Sequence, residues 1–214
     1  MTKAHVYIVD DDDNFRKSLC ALIESVGMSV ESWSDADRFL SRRDLPRPGC
    51  LVIDYRLPSL SGLDVLRSVR ESSAMPTILM SGYADVTTAV AAIKAGAAEV
   101  FEKPLDENLF LAALARECFE DDKRMMALGK CKRIKDDLSL LSPDEHEVLE
   151  QMITGQPNKA IAQRLSKGVK TIERNRQNLI RKLHCVTSAE VIAKVLVCPM
   201  LAHTPLTCER RHCA

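Results

Sequence analysis

The stretch Val6-Tyr7-Ile8-Val9-Asp10-Asp11-Asp12 sets four apolar residues directly before three acids. An apolar run of this length is typical of a buried strand, and the charge begins where the run stops. The pattern recurs at Cys50–Ile53, which precedes Asp54, and at Glu99–Phe101, which is soon followed by Lys103. In a parallel α/β sheet the carboxyl ends of the strands line one crevice. We therefore expect the acids and the lysine to meet at one site.

Strand-like and helix-like segments alternate over residues 1–120. The expected strands are Val6–Val9, Val30–Trp33, Cys50–Ile53, Thr77–Met80 and Glu99–Phe101. Apolar residues at helical spacing lie between most of these strands, and a further helix is expected from about Asp106 towards Met126. This alternation predicts an α/β fold, a doubly wound five-stranded parallel sheet with helices on both faces.

Strand patterns stop after residue 120. The charged segment 121–140 predicts a helical linker, and Ser142-Pro143-Asp144-Glu145 is a capping box that opens a helix. Three more helices are expected, one beginning at Pro157, one over Val169–Leu183 and one over Ser188–Leu196. We expect a small all-α domain over 141–200 and a flexible tail over 201–214.

The net charge of zero conceals two halves of opposite sign. Residues 1–122 hold 13 basic and 21 acidic residues, a net charge of −8, and residues 123–214 hold 17 and 9, a net charge of +8. A basic half of this kind favours a nucleic-acid partner. The chain shows neither a membrane span nor a signal peptide, so we expect a cytoplasmic protein. Eight cysteines form no Cys-x-x-Cys pair, and the tail ligands Cys208, His212 and Cys213 lack a fourth partner for zinc.

The first half resembles the receiver domain of two-component response regulators, which has a flavodoxin-like fold. The matching residues are Ile8-Val9-Asp10-Asp11, Asp54 with Leu57-Pro58 and Ser61-Gly62, Ser81-Gly82, Lys94-Ala95-Gly96-Ala97 and Lys103-Pro104. The resemblance implies that Asp54 receives a phosphoryl group from a sensor histidine kinase. It also implies that Asp11, Asp54 and the Arg56 carbonyl bind Mg²⁺, while Asp10 holds a metal-bound water. Carboxylate oxygens suit this cation.

The same resemblance assigns Lys103 and Ser81 to the phosphoryl oxygens, where neutralising charge is the main catalytic task. Asp12 and Asp13 are not expected in the site, because acids at the start of a helix stabilise it through the helix dipole. Receivers usually carry an aromatic residue three positions before the lysine, and Val100 occupies that position. We expect Ser81 and Val100 to relay the switch through packing, with Phe101 on the opposite face of its strand.

Two side chains beside the site, Arg56 and Tyr83, hold positions whose counterparts influence the hydrolysis of the phosphoaspartate. Their charge and bulk are expected to shield the phosphoryl group from water.

The second half resembles the LuxR-type helix-turn-helix domain of FixJ-like response regulators. The matching stretches are 141–149, 155–162 and 170–183. The resemblance implies a recognition helix in the major groove of double-stranded DNA. The expected phosphate contacts are Lys159, Lys170, Thr171, Arg176 and Lys182, and the expected base contacts are Glu173, Arg174 and Gln177. Two departures are Lys167-Gly168 before the reading helix and Asn175 in place of a frequent histidine.

Together these features predict a transcription regulator that is phosphorylated at Asp54, forms a homodimer through the fourth helix and fifth strand of the receiver, and binds a promoter. One alternative is a regulator that works without phosphorylation and answers to a protein partner, since Val100 departs from the pattern. Another is an aspartate-nucleophile phosphatase, which would need an acid where Arg56 lies.

Overall fold

The structure is a computed structural model that describes residues 4–42, 44–82 and 86–196. The chain forms two compact units, Met1–Met126 and Ala127–Ala214.

The first unit contains a five-stranded parallel sheet in the order β2-β1-β3-β4-β5. The strands are β1 (His5–Val9), β2 (Ser29–Trp33), β3 (Gly49–Asp54), β4 (Thr77–Ser81) and β5 (Glu99–Glu102). Each expected strand is confirmed to within one residue at either end. The predicted doubly wound parallel sheet is confirmed as well.

Five helices connect or follow these strands. They are α1 (Asp13–Ser25), α2 (Ala36–Ser41), α3 (Gly62–Ser72), α4 (Val86–Ala95) and α5 (Glu107–Ser139). The sequence did not predict α2, whose six residues are too few to show a helical period. Its signal is the cap, because the Asp35 carboxylate accepts hydrogen bonds from the amides of Asp37 and Arg38.

The two faces of the sheet carry separate apolar cores. One core joins the sheet to α2, α3 and α4, and the other joins it to α1 and α5. Val100 packs against the first core and Phe101 against the second, where its ring meets that of Phe110 edge to face at 5.7 Å. The expected placement of these neighbours on opposite faces is confirmed.

A buried ion pair ties α5 to the amino end of the sheet. Asp121 is fully buried and accepts hydrogen bonds from the Arg47 guanidinium, with Nε at 2.7 Å, and from the amide of Gly49 at 2.9 Å. Arg47 also donates to the Ser73 carbonyl at 2.9 Å. Arg124 is a second cation beside this carboxylate, with Nη1 3.8 Å from Asp121 Oδ1. This end of the sheet is therefore closed by a hydrogen-bonded network in which the acid has no excess negative charge.

The second unit contains the helices α6 (Pro143–Ile153), α7 (Asn158–Arg164), α8 (Val169–Lys182) and α9 (Ser188–Leu196). The capping box is present, with Ser142 and Glu145 each accepting from the other's backbone amide. The last turns of α5 join this unit, since Ile134 and Leu138 are buried in its core. The predicted linker is thus helical, and α5 passes without a break through the exposed Gly129.

Over the described parts of the chain, no helix combines the length and apolar character that crossing a membrane requires.

Candidate functional site

Four side chains expected at one site lie at the carboxyl edge of the sheet. Asp10 follows β1, Asp54 ends β3, Ser81 ends β4 and Lys103 follows β5. These strands are consecutive neighbours, so their ends converge. The Lys103 amide donates to the Ser81 carbonyl at 2.8 Å, which continues the pairing of β4 with β5 up to the site.

Lys103 lies between the two acids. Its Nζ is 2.6 Å from Asp10 Oδ2 and 2.7 Å from Asp54 Oδ1. Both acids are buried, with Asp10 wholly inaccessible and Asp54 6% exposed. A buried charge of this kind is tolerated only with a partner of opposite sign, and here one ammonium serves two carboxyl groups. The group as a whole therefore carries an excess of negative charge.

The environment shifts the pKa of two of these groups. Burial raises the pKa of Asp10 above its ordinary value, although Lys103 acts in the opposite direction. Burial alone would lower the pKa of Lys103, but its hydrogen bonds to Asp10 and Asp54 outweigh that effect and raise it. Lys103 therefore remains a cation at neutral pH.

The loop after β3 is folded against Asp54. The Arg56 amide donates to Asp54 Oδ2 at 2.8 Å, and the Gly62 amide donates to the Tyr55 carbonyl at 2.9 Å. A side chain at residue 62 would collide with the Asp54 carbonyl, so only glycine fits there. This contact gives the physical reason for the Ser61-Gly62 motif.

The expected Mg²⁺ ligands provide oxygen atoms of the right type, but three carboxylates do not converge. Asp11 is exposed, and no three Asp, Glu, His or Cys side chains form a metal-binding group within residues 4–42, 44–82 and 86–196. Lys103 occupies the space between the other two acids, Asp10 and Asp54. Asp10 and Asp54 nevertheless place carboxylate oxygens at the same edge of the sheet, where they accept hydrogen bonds from the amides of Asp12 and Arg56 and from Lys103. The donor chemistry therefore fits a hard divalent cation.

Ser81, Val100 and Tyr83 are the other residues expected at or beside the site. Ser81 is buried at the end of β4, while Val100 is half-buried in the strand that leads to Lys103. Tyr83 lies outside the described residues.

Two features of the site were missed from the sequence. Lys103 Nζ lies 4.2 Å from the centroid of the Phe15 ring, and the Arg16 guanidinium donates to the Asp10 carbonyl at 2.6 Å. Phe15 packs against the core that α1 and α5 form with the sheet. The tertiary approach of Lys103 to its ring leaves no trace in the sequence.

In the second unit, α8 has an outward polar face and an inward apolar one. Glu173, Arg174 and Gln177 are exposed, whereas Ile172 and Leu179 are buried. The expected base contacts therefore share the face that is available to a partner. The helix begins after Gly168 without a side-chain cap, as its sequence predicted.

The expected phosphate contacts fall into two groups. Lys159 and Lys170 are exposed and Thr171 is half-buried in the first turn of α8. Lys182 instead bonds Glu145 Oε2 at 2.7 Å, and Arg176 donates to Asn158 Oδ1 at 2.8 Å. These two cations hold α8 against α6 and α7, so part of the positive charge counted in the sequence serves the fold.

Comparisons with known proteins agree with both units. Residues 6–115 match the response regulator receiver domain, and residues 139–195 match the bacterial regulatory proteins of the luxR family. The chain belongs to the response regulators. TodT, a response regulator protein of Pseudomonas putida, is 35% identical over 191 residues, which cover 89% of this chain and 84% of TodT.

Two further relatives extend over most of this response regulator. The transcriptional regulatory protein FixJ of Bradyrhizobium diazoefficiens is 32% identical over 201 residues, covering 94% of this chain and 98% of FixJ. The solved structure of the response regulator StyR matches with a TM-score of 0.82 at 32% identity, covering 91% of this chain and 99% of StyR.

The response regulator therefore joins a receiver to a LuxR-type DNA-binding domain and acts as a phosphorylation-dependent transcription regulator. The family is one of DNA-binding regulators, so the phosphatase alternative is set aside. Control without phosphorylation is not favoured either.

Proposed function

We propose that Asp54 is the phosphoacceptor of this response regulator. The observation that carries the proposal is the placement of Asp54 at the carboxyl end of β3, beside Asp10 and bonded to Lys103. An Asp54 oxygen would form a bond to phosphorus while the bond from phosphorus to the donor breaks, its electron pair leaving with the donor. A sensor histidine kinase, whose phosphohistidine supplies the group, is the proposed donor.

We further propose that Mg²⁺ binds at this site through Asp11, Asp54 and the Arg56 carbonyl, with Asp10 holding a metal-bound water. The cation would neutralise charge on the phosphoryl oxygens. Lys103 and Ser81 would bind the same oxygens, Lys103 as a cation and Ser81 through its hydroxyl group. The buried position of Asp10 and Asp54 supports this, because charge interactions strengthen where water is excluded.

Phosphorylation is proposed to shift the receiver towards a form that dimerises through α4 and β5, with Ser81 and Val100 relaying the change. Dimerisation would place two DNA-binding domains on adjacent half-sites of a promoter. We propose a cytoplasmic location and keep the domain limits 1–120, 121–140, 141–200 and 201–214. The tail lies outside the described residues.

For DNA, we propose base contacts from Glu173, Arg174 and Gln177, which lie on the exposed face of α8. Lys159, Lys170 and Thr171 are the proposed phosphate contacts. Arg176 and Lys182 are left out of this set because their side chains bond to Asn158 and Glu145.

The test measures the mass of the full-length protein by size exclusion, with and without beryllofluoride and Mg²⁺, and its affinity for promoter DNA in both states. Wild type should become dimeric and bind more tightly, and Asp54→Ala should do neither. An unchanged wild-type mass and affinity would contradict the proposal. A dimer formed equally by Asp54→Ala would support control without phosphorylation.

A further inference from the structure

Lys103 has a third neighbour in addition to its two carboxylates. Its Nζ lies 2.6 Å from Asp10, 2.7 Å from Asp54 and 4.2 Å from the centroid of the Phe15 ring. The face of an aromatic ring carries partial negative charge and attracts a cation at this distance. Phe15 is therefore an uncharged neighbour of the ammonium, beside its two acidic ones.

The acidic run itself positions this ring. Asp10 Oδ1 accepts from the Asp12 amide at 2.9 Å, and Asp12 Oδ1 accepts from the Phe15 amide at 3.1 Å. Asp12 is the N-cap of α1, so the helix begins with Phe15 in its first turn. The ring is half-buried and packs against the core formed with α1 and α5. The backbone and the core together fix the ring beside Lys103.

We propose that Phe15 is a positioning residue, whose ring holds the Lys103 ammonium in place during phosphoryl transfer. This inference rests on the proposed function of Asp54. Lys103 has a long side chain with much rotamer freedom, and it depends on charged partners to remain in one place. One of those partners, Asp54, gives up its free carboxylate when it is phosphorylated. The ring is neutral and chemically unchanged by the reaction, so its attraction for the ammonium persists throughout.

The experiment compares full-length variants in their uptake of phosphoryl groups from acetyl phosphate with Mg²⁺ at a series of donor concentrations. Phe15→Leu removes the ring face but keeps apolar bulk, whereas Phe15→Tyr keeps the face. Phe101→Leu is the matched control, since Phe101 is a half-buried aromatic residue of the same core. Phe15→Leu should lower the limiting rate about two- to tenfold, while Phe15→Tyr and Phe101→Leu should stay close to wild type.

Two measurements keep the test independent of folding and of Asp54. Replacing Phe15 with trifluorophenylalanine preserves the ring's shape but removes most of its negative face, so it should slow uptake as Phe15→Leu does. In NMR spectra, the ε-methylene protons of Lys103 should be shielded by the ring in wild type and lose that shielding in Phe15→Leu.

The outcomes separate the two proposals. Wild-type rates in Phe15→Leu and in the fluorinated protein would overturn the role of Phe15, as would equal slowing by Phe101→Leu. Unshielded Lys103 protons in wild type would also overturn it. If wild type takes up no phosphoryl group, the proposed function of Asp54 fails and the role of Phe15 in transfer falls with it, whereas the shielding still reports whether the contact exists.

Discussion

The two ends of the receiver sheet each hold a buried acid with a basic partner. At the carboxyl end, Asp10 and Asp54 share the ammonium of Lys103. At the amino end, Asp121 binds the guanidinium of Arg47. Asp10 and Asp121 are both fully inaccessible to solvent. Burial and pairing alone therefore do not distinguish a reactive site from a structural one.

The difference lies in charge balance and in the geometry of the cation. Arg47 presents a planar fork that matches one carboxylate, and the Gly49 amide adds a third hydrogen bond to Asp121. Lys103 is a point charge between two acids, so one cation is shared by two carboxyl groups. The acid at the amino end has cations enough to balance its charge, whereas the carboxyl end is the proposed site for a cation and a phosphoryl group.

The largest expected effect comes from removing the carboxylate of the proposed phosphoacceptor. Asp54→Asn should abolish phosphoryl uptake from acetyl phosphate and Mg²⁺, because an amide oxygen is a far weaker nucleophile. Asp121→Asn, measured under conditions in which it stays folded, should take up the group at close to the wild-type rate. Intact mass spectrometry checks both variants. Equal loss of phosphoryl uptake in Asp54→Asn and Asp121→Asn would contradict the functional difference between the two ends of the sheet.

The next largest effect concerns stability. Here we expect the amino end of the sheet, and not the carboxyl end, to show the larger loss. Asp121→Ala should lower the free energy of unfolding of the receiver by about 3–5 kcal/mol, because Arg47, whose side chain is only 12% exposed, would lose its partner. The apolar double variant Arg47→Met/Asp121→Leu should recover much of that loss. Trp33, the sole tryptophan, packs against Phe39 and reports receiver unfolding by fluorescence in urea. A loss below about 1 kcal/mol would contradict the structural role.

The DNA-binding half offers a related comparison, between an exposed lysine and a lysine that is paired with an acid. Lys170→Ala should weaken promoter binding about three- to tenfold and reduce the salt slope by about one, as the loss of one phosphate contact requires. Lys182→Met should leave the salt slope unchanged, since its ammonium bonds Glu145. Binding titrations over a range of salt concentrations measure both. A reduced salt slope in Lys182→Met would instead show that Lys182 contacts a DNA phosphate.

The smallest effect is a pH dependence at the Glu145–Lys182 pair. Burial acts to raise the pKa of Glu145, but hydrogen bonds from Lys182 and Ser142 outweigh it and lower that pKa below its ordinary value of 4.5. A depressed pKa stabilises the folded state above the unfolded-state pKa, and this contribution disappears as pH falls through the folded-state value. Glu145→Gln should cost about 1 kcal/mol at pH 7 and less below about pH 4.5.

Hydrogen–deuterium exchange of peptides from residues 143–183 measures the difference in unfolding free energy between wild type and Glu145→Gln at each pH. A difference that grows towards low pH would have the wrong sign for a depressed pKa.

The sequence predicted the strands and the site more fully than it predicted the ion pairs. Strand ends are set by local apolar runs, and their convergence follows from parallel topology. Arg47 and Asp121 lie 74 positions apart, and no local pattern joins them. The contact of Phe15 with Lys103 is likewise a product of tertiary packing. Helix α5 continues through Gly129 because its last turns bury Ile134 and Leu138, which offsets the poor helix propensity of glycine.

We expect phosphorylation at the carboxyl end of the sheet to take place on Asp54. Full-length protein treated with acetyl phosphate and Mg²⁺ can be reduced with borohydride, which converts a phosphorylated aspartate to homoserine, and then mapped by peptide mass spectrometry. Homoserine should appear at Asp54 and at no other acid. Homoserine at Asp10, Asp11 or Asp121, or at no residue, would contradict it.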